Sequence, residues 1–508
     1  MEMFVSHSEF LDNVLGKNSD LKEEIMRLFL TFCQHWPDIM ERSHLPVLFA
    51  SYTAMVNRCD RVILLLLKMY ESRADVTKFY DFKPFLWGKA AASHYSVRSN
   101  IENALWRQPK MSDVLDILQE HVVRSTIIKY PFKDNLDINM EDNVDQKDED
   151  CYDLKFLLLI FSQLLAPEQQ VQTYKFSRSG ALSLTVVALS SQSTEVRHAA
   201  CHILSRFRFH LEGRQTGKDN PLWIRYIDAV CKGTSVLPDF KLNHFAAIYL
   251  AKMAMVLTQP THVMYLPLSQ HLTAKSSLDF STVPELYTFL HSPDVNFKEH
   301  RRFTLELLRD GLRTEKDFSD FVRSMAFKLI SELYVSCLSD SDTKLLILDV
   351  FASLCKIPLA VRVLCDHHSF ISQLTCDLES ILSSFTKDNA EIVFISKILQ
   401  ILLYVVKVYH EKSSAFLIFM MLEQLLSSEL FGLLPKIDEK VFYEVMYLTY
   451  DKCPEFYSKS VIDKLLKNSD DSFCKYVTEY GCKFVDIKTL NQDDPKYYLK
   501  LLVIKTLS

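Results

Sequence analysis

Nine glycines in 508 residues constrain this chain more than any other feature. Average usage would supply about 36. Glycine provides left-handed turns, strand bulges and the loops that cradle phosphate. A chain this poor in it has little material for a sandwich, a barrel or a nucleotide-binding α/β fold. Leucine-rich stretches with helical spacing take the place of such elements, and the reading is an all-α chain.

Charge narrows the function classes. The formal net charge is −6, and Lys133–Asp150 alone holds eight acids against two lysines. The remainder is nearly neutral, without the electrostatic footprint of a dedicated nucleic-acid binder. That acidic stretch is polar and rich in Asp and Asn, the composition of a spacer. It predicts an N-terminal helical segment over 1–132, a linker over 133–150 and a helical array over 151–508. Apolar runs such as Ala415–Leu422, Val62–Leu67 and Phe156–Phe161 are far below the ~20 residues that span a bilayer. Twelve cysteines are scattered without a CxxC pair. Cys201, Cys231 and Cys355 fall in apolar patterns and read as reduced core thiols.

The sharpest helix follows Ser193. Ser193 or Thr194 caps it, Glu195 suits its first turn and Gly213 ends it. Val196, Ala199, Ala200, Ile203, Leu204, Phe207 and Leu211 make one apolar stripe. A second helix starts at Pro221, carries Trp223, Ile227, Val230 and Cys231 on one face, and stops at Gly233. A third carries Leu242, Phe245, Ala246, Tyr249, Leu250 and Met253. Further helices are expected near 300–312, 316–337, 343–356, 371–384, 390–410, 414–430, 438–450 and 459–467. Pro358, Ser369, Pro435 and Pro454 serve as punctuation. Two-helix units recurring every 40–47 residues would form an α-solenoid of antiparallel pairs, HEAT- or armadillo-like. Glu195–Ala200 with Ile203 and Leu204 resembles the second helix of a HEAT repeat; an ordinary amphipathic helix with small residues at a tight crossing fits it as well.

Chemistry is sparse. Glu195, His198, Cys201 and His202 invite a metal site, but both histidines point away from the stripe and no second Cys/His pair follows. Cys365, His367 and His368 sit at a helix end, where imidazolium suits the dipole. No nucleophile elbow, P-loop, dinucleotide fingerprint or HExxH occurs. The chain therefore reads as no enzyme, without catalytic, cofactor or metal residues. Candidate partner or RNA contacts are Trp87, Tyr95 and Trp106, in a tightly packed knot or anchor surface, and Arg206, Arg208, Arg301 and Arg302. The arginines either reach phosphates beside stacked bases or are solvated on helices whose aromatics turn inward.

Several ordered segments point to a family. They are Leu86-Trp87-Gly88 with Ala91, His94 and Tyr95; Tyr152-Asp153 with Phe156-Leu157-Leu158, Phe161 and Leu164-Leu165; Leu182 to Ser190; His210 to Gly213; Leu250 to Ala254; and Met264-Tyr265-Leu266. Their order and spacing resemble the C-terminal region of the nucleolar pre-ribosomal-associated protein 1 family, from about Phe82 to Val406. Leu154 and Leu159 stand where the family pattern has proline, and members of the family are far longer. The resemblance implies a non-enzymatic α-solenoid in the nucleolus, acting as a scaffold in early large-subunit precursor assembly and rRNA processing. It implies partners among pre-ribosomal assembly factors, including a DEAD-box RNA helicase, together with precursor rRNA and small nucleolar RNA. It implies no membrane association. The alternative from repeat rhythm alone is a HEAT-type adaptor of an unrelated cytosolic complex.

Overall fold

The computed structural model describes residues 10–15, 19–41, 44–73, 111–131, 151–213, 220–274, 278–383, 389–457, 459–469, 491–492 and 494–507. Among them the chain is all-helical; the one extended pairing is an isolated antiparallel bridge, Met55 with Tyr152. The acidic segment 133–150 lies outside the described residues. Two compact units divide between Pro284 and Glu285.

In the first unit the longer helices are α1 (Ser19–His35), α2 (Arg58–Glu71), α3 (Glu120–Lys129), α4 (Leu154–Leu164), α5 (Ala181–Val187), α6 (Thr194–Glu212), α7 (Asn220–Ser235) and α8 (His244–Val256). α1 packs on α2; α5 packs on α3, α4 and α8; α6 packs on α4 and α7. α5 is buried along its whole length and α8 nearly so, which makes this pair the centre of the unit. Phe176 links the layers, 5.5 Å from the ring of Phe161 and 5.3 Å from that of Phe207.

The N-terminal helices join this body through a short clasp. Val56 N donates to Cys151 O at 2.7 Å and Asp153 N to Ala54 O at 2.8 Å. Tyr152 N donates to Thr126 Oγ1, and the Tyr152 hydroxyl accepts from Gln119 N at 2.8 Å. Asp60, almost fully buried, holds the loop on the other side. Its Oδ2 accepts from Met55 N and from Thr53 Oγ1, both at 2.7 Å.

The three-helix reading of 194–256 is observed, with two corrections. Gly233 does not stop α7, which runs through it to Ser235. Its lack of a side chain makes room for Phe280, whose Cε2 lies 2.0 Å from where a Cβ would stand. Cys231 is exposed and Cys201 only half-buried, so of the three expected core thiols only Cys355 is enclosed. Ala200 is buried, whereas Ala199 lies at the edge of the stripe.

The second unit contains α9 (Phe297–Gly311), α10 (Glu315–Arg323), α11 (Ala326–Val335), α12 (Ser341–Cys355), α13 (Pro358–His368), α14 (Phe370–Ser383), α15 (Asn389–Val408), α16 (Lys412–Leu426), α17 (Lys436–Lys452), α18 (Lys459–Ser469) and α19 (Tyr497–Leu507). The helix expected over 316–337 is two. Met325, at φ 54°, turns the chain left-handed between them, without a glycine to announce it. Pro358 opens a helix where punctuation was expected, since proline fits the first turn.

Packing in this unit runs in two rows. α9 packs on α12, α12 on α15, α15 on α17 and α17 on α19. A second row runs beside it, α14 on α16 and α16 on α18. The first four helices of the main row begin at residues 297, 341, 389 and 436. A lysine–carboxylate pair bridges each step: Lys298 with Asp340 at the α12 N-cap (2.9 Å), Lys397 with Asp349, Lys407 with Glu444 (2.7 Å) and Lys505 with Asp451 (2.5 Å). Thr343 and then Lys298 hold the Asp340 carboxyl down at about 2.

Candidate functional site

α6 carries six of the residues singled out from sequence: Glu195, His198, Cys201, His202, Arg206 and Arg208. Its apolar stripe faces α4 and α7, so the opposite face is free for polar groups. Arg206 reaches across to α4, where Nη1 donates to the Ser162 carbonyl and to Ser162 Oγ (3.0 Å). Arg208 turns to the other neighbour. Its Nε pairs with Glu212 at 3.0 Å, and its Nη1 with Asp228 of α7 at 2.8 Å. Arg301 and Arg302 belong to the second unit. Arg301 Nε donates to Leu290 O at 3.1 Å and its guanidinium lies 4.8 Å from the centre of the Phe297 ring; Arg302 pairs with Glu306 at 3.1 Å. All four arginines thus have intramolecular partners. Trp87, Tyr95 and Trp106 lie outside the described residues.

His198 and His202 are exposed on the outer face of α6. Among the described residues no group of three or more His, Cys, Asp and Glu side chains is placed to hold a metal ion. Cys365, His367 and His368 occupy the last turn of α13. Burial, Asp366 and Glu411 push the Cys365 thiol up to about 12, which leaves it a poor nucleophile. His368 packs against Phe327 at 4.8 Å, and burial draws its imidazole below the usual range. His367 is exposed.

Two charged groups escaped sequence reasoning. Arg197 is 3% exposed. Its Nη1 donates to Ser191 O (2.8 Å) and Gln192 O (2.9 Å), and its Nε donates to Asp239 O (3.0 Å). It pins the start of α6 to the turn before it and to the turn after α7. The signal was present, since Arg197 adjoins the apolar stripe. Lys452, at the end of α17, donates to the carbonyls of Val406 and Tyr409 (2.7 Å) and so covers the C-terminus of α15. Burial brings its ammonium down to about 8. Beside it the Tyr409 hydroxyl lies 2.5 Å from Asp366 Oδ1 and 2.7 Å from Glu411 Oε2. Lysine and phenol both act here on helix ends.

No helix among the described residues is long and apolar enough to cross a membrane. Comparison with known proteins gives a consistent result. Residues 182–373 match the family described as Nucleolar pre-ribosomal-associated protein 1. The human protein of that name is 30% identical over 391 residues, and the mouse protein 30% identical over 393. Each match covers 74% of this chain and 17% of the relative.

Proposed function

Residues 182–373 carry a region of the nucleolar pre-ribosomal-associated protein 1 family, and from that premise we propose that the chain is a non-enzymatic scaffold of nucleolar pre-ribosomal particles. The observation that carries this reading is the extent of the likeness. The 30% identity over 391 residues reaches well beyond the 192-residue family region. The chain matches only 17% of the relatives' length, so it contributes one part of what a whole relative does.

The helical array supports a scaffold. One row of helices in the second unit packs step upon step, and the starts of its first four members at 297, 341, 389 and 436 are spaced close to the HEAT and armadillo period. We read this as a HEAT-like solenoid, whose broad helical surfaces hold several partners at once. The partners are assembly factors and precursor rRNA of the large subunit, with a DEAD-box RNA helicase and small nucleolar RNA among them. Lys452 covers a helix end and the Cys365 thiol is held protonated, which favours a role without catalysis.

Gradient sedimentation of the tagged chain tests the proposal, with ultraviolet crosslinking and sequencing of bound RNA. Co-migration with large-subunit precursors and recovery of precursor rRNA are expected. A species found only at the top of the gradient, in cytosol, refutes it and leaves the unrelated cytosolic adaptor.

A further inference from the structure

α7 returns antiparallel along α6, and contacts across their seam fix the register. Asn220 Nδ2 donates to Leu211 O at 3.3 Å, Arg208 Nη1 meets Asp228 Oδ1 at 2.8 Å, and Arg197 Nε donates to Asp239 O, just past α7, at 3.0 Å. Cys201 and Cys231 fall between the second and third of these rungs. Cys201 lies two turns before Arg208, on the same face of α6, and Cys231 one turn after Asp228, on the same face of α7. Because Arg208 and Asp228 meet, those two faces meet. Counted from the Leu211–Asn220 rung the cysteines stand about 1.5 Å apart along the axes, and counted from Arg208–Asp228 about 6 Å. Facing Cα atoms of packed helices approach to about 4–5 Å, inside the span that a disulfide bridges. Cys231 is exposed and Cys201 half-buried, so the pair sits at the open rim of the seam.

We propose that Cys201 and Cys231 are a redox-active pair, which hydrogen peroxide converts into a disulfide tying α6 to α7. At rest both are thiols. Burial raises each of them, and the neighbouring Cys201 raises Cys231 further, while Arg208 favours the Cys231 thiolate. The Cys231 thiolate attacks one peroxide oxygen. The O–O bond breaks, leaving a sulfenic acid and a hydroxide that takes up the thiol proton as water. The Cys201 thiolate then attacks the Cys231 sulfur. The S–S bond forms, the S–O bond breaks, and the departing hydroxide leaves with the Cys201 proton as a second water. Two thiols have lost two electrons and one peroxide has become two waters. A thiol reductant reverses the bond by exchange. The inference is independent of the pre-ribosomal reading, since it concerns this helix pair alone.

Peptide mapping of the full chain without reduction tests it, after peroxide treatment and blocking of the remaining thiols. Trypsin places Cys201 in fragment 198–206 and Cys231 in fragment 226–232. A linked pair of these fragments is expected, absent before treatment and lost with dithiothreitol. In Cys201→Ser the sulfenic acid has no partner, and dimedone is expected to trap it at Cys231 several-fold more than in the wild-type chain. Circular dichroism checks the fold of that variant, and the wild-type mapping stands without it. No linked pair once peroxide has oxidised the exposed Cys337, or linkage of Cys231 to a different cysteine instead, overturns the proposal. Equal trapping of Cys231 with and without Cys201 overturns it as well, and makes Cys231 an isolated surface thiol.

Discussion

Gly233→Ala separates two opposed effects at one position. In an open helix interior the change stabilises by about 1 kcal/mol, because alanine has the better helix propensity. Here the new methyl would stand 2.0 Å from Phe280 Cε2, 2.3 Å from Cδ2 and 3.0 Å from Cζ. Ordinary carbon contacts lie near 3.5–4.0 Å, so the ring must retreat by about 1.5 Å. It has little freedom to do so. Phe280 is 3% exposed, and its carbonyl is held by Asn243 Nδ2 at 2.9 Å, from the N-cap of α8. Overpacking of this kind costs about 1–3 kcal/mol, and the fixed backbone places this case at the upper end. Against the propensity gain the net loss is about 2 kcal/mol, a fall in melting temperature of about 4 °C for a unit of this size. Calorimetry or circular dichroism of the full chain measures it. Phe280→Leu in the same background should recover part of the loss as a favourable coupling. A melting temperature unchanged or raised by Gly233→Ala would refute the close approach of α7 and Phe280.

Three further outcomes follow from the same packing. Arg197→Ala removes a buried guanidinium that serves three carbonyls, and a loss of about 3 kcal/mol is expected in denaturant unfolding; Arg197→Lys, lacking the fork, should recover little of it. Ala200→Leu should destabilise by about 1–3 kcal/mol, while Ala199→Leu, at the stripe edge, should change the melting temperature little. Burial raises the Asp60 carboxyl to about 6, against the lowering effect of Thr53, Met55 and Lys22. A folded value above the unfolded one means its contribution is full below about pH 4 and is lost as pH rises through about 6. The stability of the wild-type chain minus that of Asp60→Asn should therefore fall across that window in pH-dependent unfolding, and a flat difference would contradict it.

Helix positions were legible because apolar periodicity is written locally, as the α6 stripe and the long helices after residue 389 demonstrate. What remained hidden depends on neighbours distant in sequence. Gly233 reads as a helix stop until Phe280, 47 residues on, is brought against it. Cys231 fits an apolar pattern, yet the register of α7 against α6 turns it outward. Met325 interrupts a continuous pattern with a left-handed residue that no turn signal marks. The candidate arginines were legible as basic residues on helices. Their partners at Ser162, Asp228, Leu290 and Glu306 were not, because each depends on tertiary register or side-chain choice.

The Met55–Tyr152 bridge has a practical consequence for dissecting this protein. It fastens two points almost a hundred residues apart, so everything between them departs from and returns to a single seam. A fragment begun at residue 151 would strip the first helices from Tyr152 and leave the bared edge open to association with other molecules. Excising 133–150 instead, with its ends rejoined, would leave the seam stitched. The useful place to cut is thus inside the excursion, and a boundary placed at its return would sever what holds the two halves of the first unit in one piece.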